Sequence, residues 1–374
     1  MKSIKEATLR MKKNKIRIIG DKIDLASLAK EIPGIIVKIN KNSITLTRKQ
    51  MTNGKKPNSE ITIKRFMNAE DFAQMLGLYR AEGLKKPERV RFANNNITLH
   101  KWFIESLRQM GIYKLRVYTY CCFCRKCESE KLRKAIKTFE KVVGVKIRGK
   151  YRDEFAHNPM FYTDVNNKPL AIFLNHAEMI FRKEAAKGNI PKPLVAKYLR
   201  GMFHGDGYVR LRRHDLAMDI EFWEKDANAA KDLKQILKRY YGLTLRTYYK
   251  YSHKCSISTE ELLAMLVDDI IPRKHMEKVK KKLRNAYERK RLPWILMQLF
   301  KAFGVDPFTV PEASKVLQKA KNHTREKLIE LQKKGYLTSI KTKIIANGAG
   351  TPMRRIFKLT SKALKIVKLL CLLL

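Results

Sequence analysis

Apolar residues recur at three- and four-residue intervals through long runs of this chain, and alternate with polar ones through the short runs between them. The first spacing predicts helices with one buried stripe, the second half-buried strands. Near the start, residues 15–19, 34–39 and 43–47 have strand spacing, with a turn at 40–42. Residues 24–30 fit a short helix and 52–59 a connection rich in Gly, Pro and Asn. Further on, a strand is predicted at 89–93, a helix at 98–110 ended by Gly111, a strand at 114–120 and a helix at 128–143. Residues 161–164 and 170–174 read as two more strands. A similar order returns later: a hairpin from 208–213 and 216–222, a helix at 227–241 closed by Gly242, strands at 245–251 and 254–258, and a helix at 260–270.

The last part of the chain has its own pattern. Helices are predicted at 294–303, from Thr309 with Pro311 in its first turn, and at 322–335. Strands at 339–345 and 353–359 flank the Gly-rich tip at 347–352, and a final helix starts at Ser361.

Two of the helical runs end alike. One reads Gly77-Leu78-Tyr79-Arg80-Ala81-Glu82-Gly83, the other Gly201-Met202-Phe203-His204-Gly205-Asp206-Gly207. In each, small residues four apart (Gly77 and Ala81, Gly201 and Gly205) put a smooth stripe on one helix face. Two such stripes let helix backbones approach closely. Each run closes on an acid followed by glycine, and the glycine is expected to take the left-handed conformation that ends a helix. Packing the runs side by side brings Glu82 and Asp206 to one end. Paired carboxylates on a basic protein suit metal-assisted phosphodiester chemistry.

The charge balance decides the partner class. Lys and Arg number 81 against 35 Asp and Glu, a formal charge of +46 on 374 residues. That excess is spread along the chain and points to a polyanion, nucleic acid first. No apolar run approaches the ~18 residues of a membrane helix, and the start of the chain lacks a signal-peptide core. The expectation is a cytoplasmic, nucleoid-associated monomer with no membrane role. Cys121, Cys122, Cys124 and Cys127 form a cluster, and Cys124 and Cys127 have zinc-knuckle spacing. No second Cys or His pair follows at a suitable distance, so free cysteines on a strand and its turn are expected.

The paired runs resemble the signature of the LAGLIDADG homing endonucleases, in their single-chain form with two motifs. Gly77 and Gly201 stand at the packing glycine, Glu82 and Asp206 at the metal-binding acid, Gly83 and Gly207 at the last glycine. The first motif departs in having Glu for the usual Asp, and Leu76 and Arg200 stand where a small residue is usual. The resemblance implies an α+β fold: two pseudo-symmetric αββαββα repeats forming a DNA-binding saddle, at residues 67–190 and 191–290. They would follow a small basic β-rich segment at 1–66. Residues 291–374 look like a winged helix. The resemblance further implies a site-specific double-strand DNA endonuclease of the intron-homing type. Glu82 and Asp206 would be catalytic and would hold Mg2+, with the backbone carbonyls of Ala81 and Gly205 as secondary ligands. Family members commonly aim a lysine at the active centre from a late strand. Here those places read Ser258-Thr259-Glu260 and Leu174-Asn175-His176, so Arg80 and His204 are the substitutes at hand. The missing lysines keep a second reading open: a non-cleaving DNA-binding regulator, or an RNA splicing cofactor, on the same scaffold.

Strand alternation nominates the DNA-contacting side chains. Tyr208, Arg210 and Arg212 share one face, with Val209 and Leu211 on the other. Arg246, Tyr248 and Lys250 are read the same way, as are Arg116 and Tyr118, with Arg89 and Arg91 on the strand before them. Two-stranded ribbons fit the major groove, where arginine pairs with guanine edges and phosphates. In the winged-helix-like part, Asn322, His323, Arg325 and Lys327 would enter the groove. Lys341, Lys343, Arg354 and Arg355 on the wing would meet phosphates. Double-stranded DNA is the expected partner, with RNA as the second.

Overall fold

The computed structural model describes residues 16–49, 59–83, 88–113, 117–123, 129–152, 159–212, 217–343 and 353–374. The chain divides into two compact units. One comprises Met1–Tyr208, Glu221–Lys254 and Asp268–Pro272, the other Val209–Ile220, Cys255–Val267 and Arg273–Leu374. The predicted connection at 52–59 lies almost wholly outside the described residues, as does the tip at 347–352.

The chain opens with β1 (Arg17–Ile19), β2 (Lys22–Asp24), a one-turn α1 (Leu25–Leu28), β3 (Ile35–Ile39), β4 (Ser43–Arg48), β5 (Glu60–Lys64) and β6 (Phe66–Asn68). β3, β4 and β5 form one antiparallel sheet, and β1, β2 and β6 another. The alternation in β4 and β5 places Ile44 opposite Ile63 and Leu46 opposite Ile61, all four buried. Arg65 Nε and Nη2 each donate 2.9 Å hydrogen bonds to the buried Asp24 carboxylate, which ties the two sheets' connection down.

Next come α2 (Ala69–Glu82), β7 (Val90–Asn94), α3 (Ile97–Gln109), β8 (Val117–Phe123), α4 (Ser129–Val143), β9 (Gly149–Arg152), β10 (Met160–Val165), α5 (Lys168–Lys187) and α6 (Lys192–Asp206). The strands form one sheet in the order β7-β10-β8-β9, antiparallel except for β8 with β9. Asn68 caps α2, accepting from the Glu70 and Asp71 amides. Residues 170–174 do not form the predicted strand; they open α5. Asn167 caps that helix through the Leu170 amide and Pro169 sits in its first turn. The helix is buried on most of its surface (Leu170, Phe173, Leu174, Ala177, Phe181). A run buried all round loses its periodic signature, and a short stretch of it reads as a buried strand.

β11 (Tyr208–Leu211), β12 (Met218–Trp223), β13 (Arg246–Tyr249) and β14 (Ser252–Ile257) make a sheet in the order β11-β12-β14-β13, with α7 (Ala227–Tyr241) between β12 and β13 in the chain. Asp226 caps α7 through the Asn228 and Ala229 amides. Gly242, at φ +72°, ends it in the left-handed conformation that favours glycine.

The remaining elements are α8 (Thr259–Val267), a 3-10 turn at Arg273–His275, α9 (Met276–Glu288), α10 (Leu292–Phe303), β15 (Phe308–Thr309), α11 (Val310–Leu317), α12 (Lys321–Lys333), β16 (Leu337–Lys343), β17 (Met353–Leu359) and α13 (Ser361–Leu373). Thr309 and Glu312 form the capping box that starts α11: Glu312 Oε2 accepts from the Thr309 amide at 2.7 Å. A small antiparallel sheet, β15-β17-β16, closes over Phe308, Leu328, Leu331, Phe357, Ile366 and Val367, all buried. α9 has no counterpart among the sequence expectations. Among the described residues no helix is long and apolar enough to cross a membrane.

One buried histidine makes this fold sensitive to pH. His100 of α3 is fully buried, its Nδ1 2.8 Å from the Thr163 hydroxyl and its Nε2 2.9 Å from the Asn94 carbonyl oxygen. Burial lowers its pKa from 6.5 to about 4, against the opposing effect of its contacts with Asn94 and Phe161. The folded form therefore stays neutral where the unfolded chain takes up a proton. The stability this gives is full above pH 6.5 and is lost as pH falls from there toward 4. The expected total is about 3 kcal/mol. Urea midpoints taken between pH 7.5 and 4.5 should fall in that window, and His100→Gln should flatten the slope between pH 6.5 and 5. An unchanged slope in the variant would contradict the assignment.

Candidate functional site

α2 and α6 pack against each other and run in the same direction. Gly77 faces Tyr198 and Met202, Gly201 faces Gln74 and Leu78, and Gly205 faces Ala81 and Glu82. The contact is backbone on backbone. A methyl group on Gly77 would overlap the Tyr198 carbonyl oxygen and stand 3.0 Å from the Met202 nitrogen. One on Gly201 would overlap the Gln74 carbonyl oxygen and stand 2.7 Å from the Leu78 nitrogen. All four small residues nominated from the sequence lie in this seam.

The helices end in Glu82 and Asp206, and the following glycines have nearly the same conformation, φ −80°, ψ 146° at Gly83 and φ −79°, ψ 141° at Gly207. That is extended backbone, not the left-handed turn expected. Glycine is needed there for another reason. A methyl on Gly83 would overlap the Tyr79 carbonyl oxygen, and one on Gly207 would stand 2.6 Å from that of Phe203. The chain thus leaves both helices by turning hard against its own last turn.

The surroundings of Glu82 bear on metal binding. Its Oε1 accepts a 2.6 Å hydrogen bond from Asn94 Nδ2, and its side chain lies along Gly205. Asn94 is itself fixed: its Oδ1 accepts from the Asn96 amide at 2.8 Å, and its carbonyl oxygen meets His100. One carboxylate oxygen of Glu82 is thus committed to an amide donor. Among the described residues no group of three or more His, Cys, Asp or Glu side chains is gathered as a metal site. Mg2+ is usually held by one or two carboxylates with waters and phosphates completing the shell, so the protein's own ligands to such an ion would be Glu82 and Asp206 alone.

Arg80, one of the two residues nominated in place of the missing lysine, is committed to acids beside the seam. Arg80 forms a two-pronged pair with Glu224, at 2.8 and 2.6 Å, with Asp226 at 3.8 Å and Glu178 at 3.9 Å. Glu178 also accepts from the Tyr198 hydroxyl at 2.7 Å and from Arg182 Nε at 2.9 Å, and Arg182 reaches Asp232. These groups form a mostly buried charge network beside the seam. The His204 ring lies 5.5 Å from that of Trp102, and the Arg200 guanidinium lies 5.1 Å from the Trp102 ring as well. Asn175 and His176 lie within α5, not at a strand end, and Ser258 donates its amide to Glu261 just ahead of α8.

The nominated sheet residues divide into three groups. In β11, Tyr208 and Arg210 are exposed and Val209 is buried, as the alternation predicts; Arg212, just beyond, is exposed and pairs with Asp219 at 2.7 and 2.9 Å. In β13 the predicted alternation fails. The strand is an edge, exposed on both faces, with a bulge between Thr247 and Tyr249, and Lys250 lies in the turn after it. In the other sheet Arg91 closes on the buried Asp164 with two 2.6 Å contacts, and Arg89 reaches the same carboxylate at 3.5 Å. Arg91 and Asp164 are cross-strand partners, so this pairing holds β7 to β10. Arg116, Cys124 and Cys127 lie outside the described residues. Tyr118 stands opposite Asp164 in register, in the same strand as Cys121 and Cys122.

In the C-terminal unit Asn322, His323 and Arg325 are exposed near the start of α12, while Lys327 pairs with Glu330 at 2.6 Å. Lys341 stands opposite Arg355, and Arg354 and Lys343 follow in the same β16–β17 pair. A 490 Å³ hollow lined by Lys290, Arg291, Lys319, His323 and Lys327 adjoins the start of α12. Sequence reasoning missed Asn94, Asp164, Glu178 and Glu224. All four are buried polar residues that position other side chains, and each has a partner from another element: Glu82 for Asn94, Arg91 for Asp164, Tyr198 for Glu178 and Arg80 for Glu224.

Residues 193–284 match the family described as LAGLIDADG-like domain, a span that contains the second motif and the sheet after it. No curated protein sequence matches the chain. Among solved structures, full-length DUF199/WhiA from Thermatoga maritima is 13% identical with a TM-score of 0.33, covering 71% of this chain and 90% of that one. The N-terminal LAGLIDADG domain of DUF199/WhiA is 14% identical with a TM-score of 0.33, over 55% and 85%. Scores of that size do not establish a shared fold.

Proposed function

We propose that this chain, with its LAGLIDADG-like domain, is a double-stranded DNA-binding protein that holds its target without cutting it. The observation that carries the non-cutting part is the state of Glu82. One oxygen of its carboxylate is held by the Asn94 amide and its side chain lies along Gly205, a placement that serves packing. The binding part is supported by the +46 charge and by the exposed Arg210, Arg212 and Arg246 on the strands after the second motif. In this proposal the regions either side of residue 190 act as two related halves on duplex DNA; among the described residues the second keeps the expected αββαββα order, while the first departs from it with α3 and α4 set between single strands. The C-terminal helices and β16–β17 act as a winged helix, with Asn322, His323 and Arg325 toward bases and the wing's lysines and arginines toward phosphates.

A second reading, metal-dependent endonuclease, is favoured by one observation: the two helices end side by side in acids. A randomised plasmid library separates the two. The protein should retard the DNA and leave it intact in Mg2+ and in Mn2+. Cutting that disappears in Asp206→Asn, with binding kept, would overturn the proposal in favour of the nuclease.

Salt gives an independent check. Raising NaCl from about 50 to 200 mM should weaken duplex binding by about a thousandfold, because each phosphate contact releases counterions. A flat response would mean that the charge excess is not the binding surface.

A further inference from the structure

The edge of the β11–β14 sheet carries a feature that duplex binding does not call for. Tyr248 and Tyr249 are consecutive in β13, yet 67% and 69% exposed, and Trp223 of β12 is 49% exposed. Consecutive strand residues normally face opposite sides. Here the bulge changes that. Arg246 stands opposite Lys254, and Tyr249 stands opposite Ser252, although the spacing is three residues on one strand and two on the other. Partners in register share a face, and Ser252 and Lys254 are two apart in β14. Tyr249 therefore shares the face of Arg246 and Lys254. Tyr248 does too, because the Lys254 ammonium sits 2.9 Å over its ring. Thr247 lies on the opposite side, where its hydroxyl meets Lys234 at 2.8 Å and His253 at 3.3 Å. A bulge that re-aims a side chain is a recurrent device near binding sites.

Trp223 belongs to the same face. Ser252 donates its hydroxyl to Glu221 at 2.5 Å, and Glu221 and Trp223 are two apart in β12. Phe222, between them, is buried against Phe203 on the other side. Three exposed aromatic rings thus share one sheet face with Arg246 and Lys254.

We infer that this face binds single-stranded nucleic acid by stacking unpaired bases on Tyr248, Tyr249 and Trp223. In a duplex the flat faces of the bases are covered by their neighbours, and only base edges are offered to a groove. Exposed rings have no complement there. An unpaired base has a free face, and a ring beside cations holds both the base and its phosphate. The inference goes beyond the duplex reading and does not depend on it.

The test is fluorescence anisotropy with the full-length protein and three labelled probes of equal length: an oligo(dT), an oligo(rU) and a mixed-sequence duplex. Y248A/Y249A should bind at least one of the single strands about thirtyfold more weakly, while duplex affinity changes less than threefold. Y248F/Y249F, which keeps both rings, should bind like wild type. Single-strand affinity unchanged in the alanine variant would overturn the inference, and so would an equal loss on duplex. Wild type that binds single strands but not duplex would overturn the duplex reading alone.

Discussion

Gly201→Ala should destabilise the first compact unit by about 3 kcal/mol, at the upper end of what a buried added methyl costs. The loss is expected although alanine is the better helix former by about 1 kcal/mol. The added methyl would overlap the Gln74 carbonyl oxygen, which belongs to the backbone of α2 and cannot swing aside. Gly77→Ala meets the Tyr198 carbonyl oxygen from the other side and should behave alike. Gly205→Ala is a graded case. Its methyl would stand 2.5 Å from the Ala81 Cβ and 2.9 Å from the Glu82 Cγ, both side-chain atoms. Removing one of them in Ala81→Gly/Gly205→Ala should restore much of the loss, a positive coupling in a double-mutant cycle. Urea unfolding of the single and double variants reads this directly. If Gly201→Ala leaves the midpoint where it was, the two helices do not touch as described.

The second large effect is expected at Arg80. Its side chain is 10% exposed, and it pairs with Glu224 at 8% and stands 3.9 Å from Glu178 at 5%. Arg80→Met would leave the buried Glu224 carboxylate without its main partner and should cost about 3–5 kcal/mol. Arg80→Lys should recover only part of that, since an ammonium cannot make the two parallel contacts of a guanidinium. Asp226 is half exposed and contributes less. Thermal unfolding of the three proteins gives the ranking. A loss below about 1 kcal/mol in Arg80→Met would mean that the pair is solvated and that the network does not lock α2 in place.

The seam and the residues after it were legible because their signals are local. Glycines and an alanine four apart define a stripe within one helix, and Gly77, Ala81, Gly201 and Gly205 meet where that stripe predicts. Helix 227–241 was readable at its end because Gly242 supplies the stop on the spot. Residues 170–174 were not, because α5 is buried on most sides and a helix without a polar face has no period. β13 misled for a related reason. An edge strand with a bulge breaks the alternation that assigns faces, so the common side of Tyr248 and Tyr249 emerges only from the register with β14. The environment of Glu82 was out of reach altogether. The acid itself stands out in the motif, but the amide of Asn94 that engages it comes from a strand whose sequence gives no hint of the contact. The same holds for Asp164 under Arg91 and for Glu224 under Arg80: arginines nominated for DNA contact and for the active centre turn inward toward acids distant in the chain.

Whether the paired acids chelate a metal is settled most directly by Mn2+ titration of the DNA-saturated protein, with free Mn2+ followed by electron paramagnetic resonance. Wild type, Glu82→Gln and Asp206→Asn should give the same curve, set by weak association with the phosphates. A tight Mn2+ site in wild type that vanishes in both variants would show Glu82 and Asp206 holding an ion between them, and would contradict the reading of these acids as packing groups.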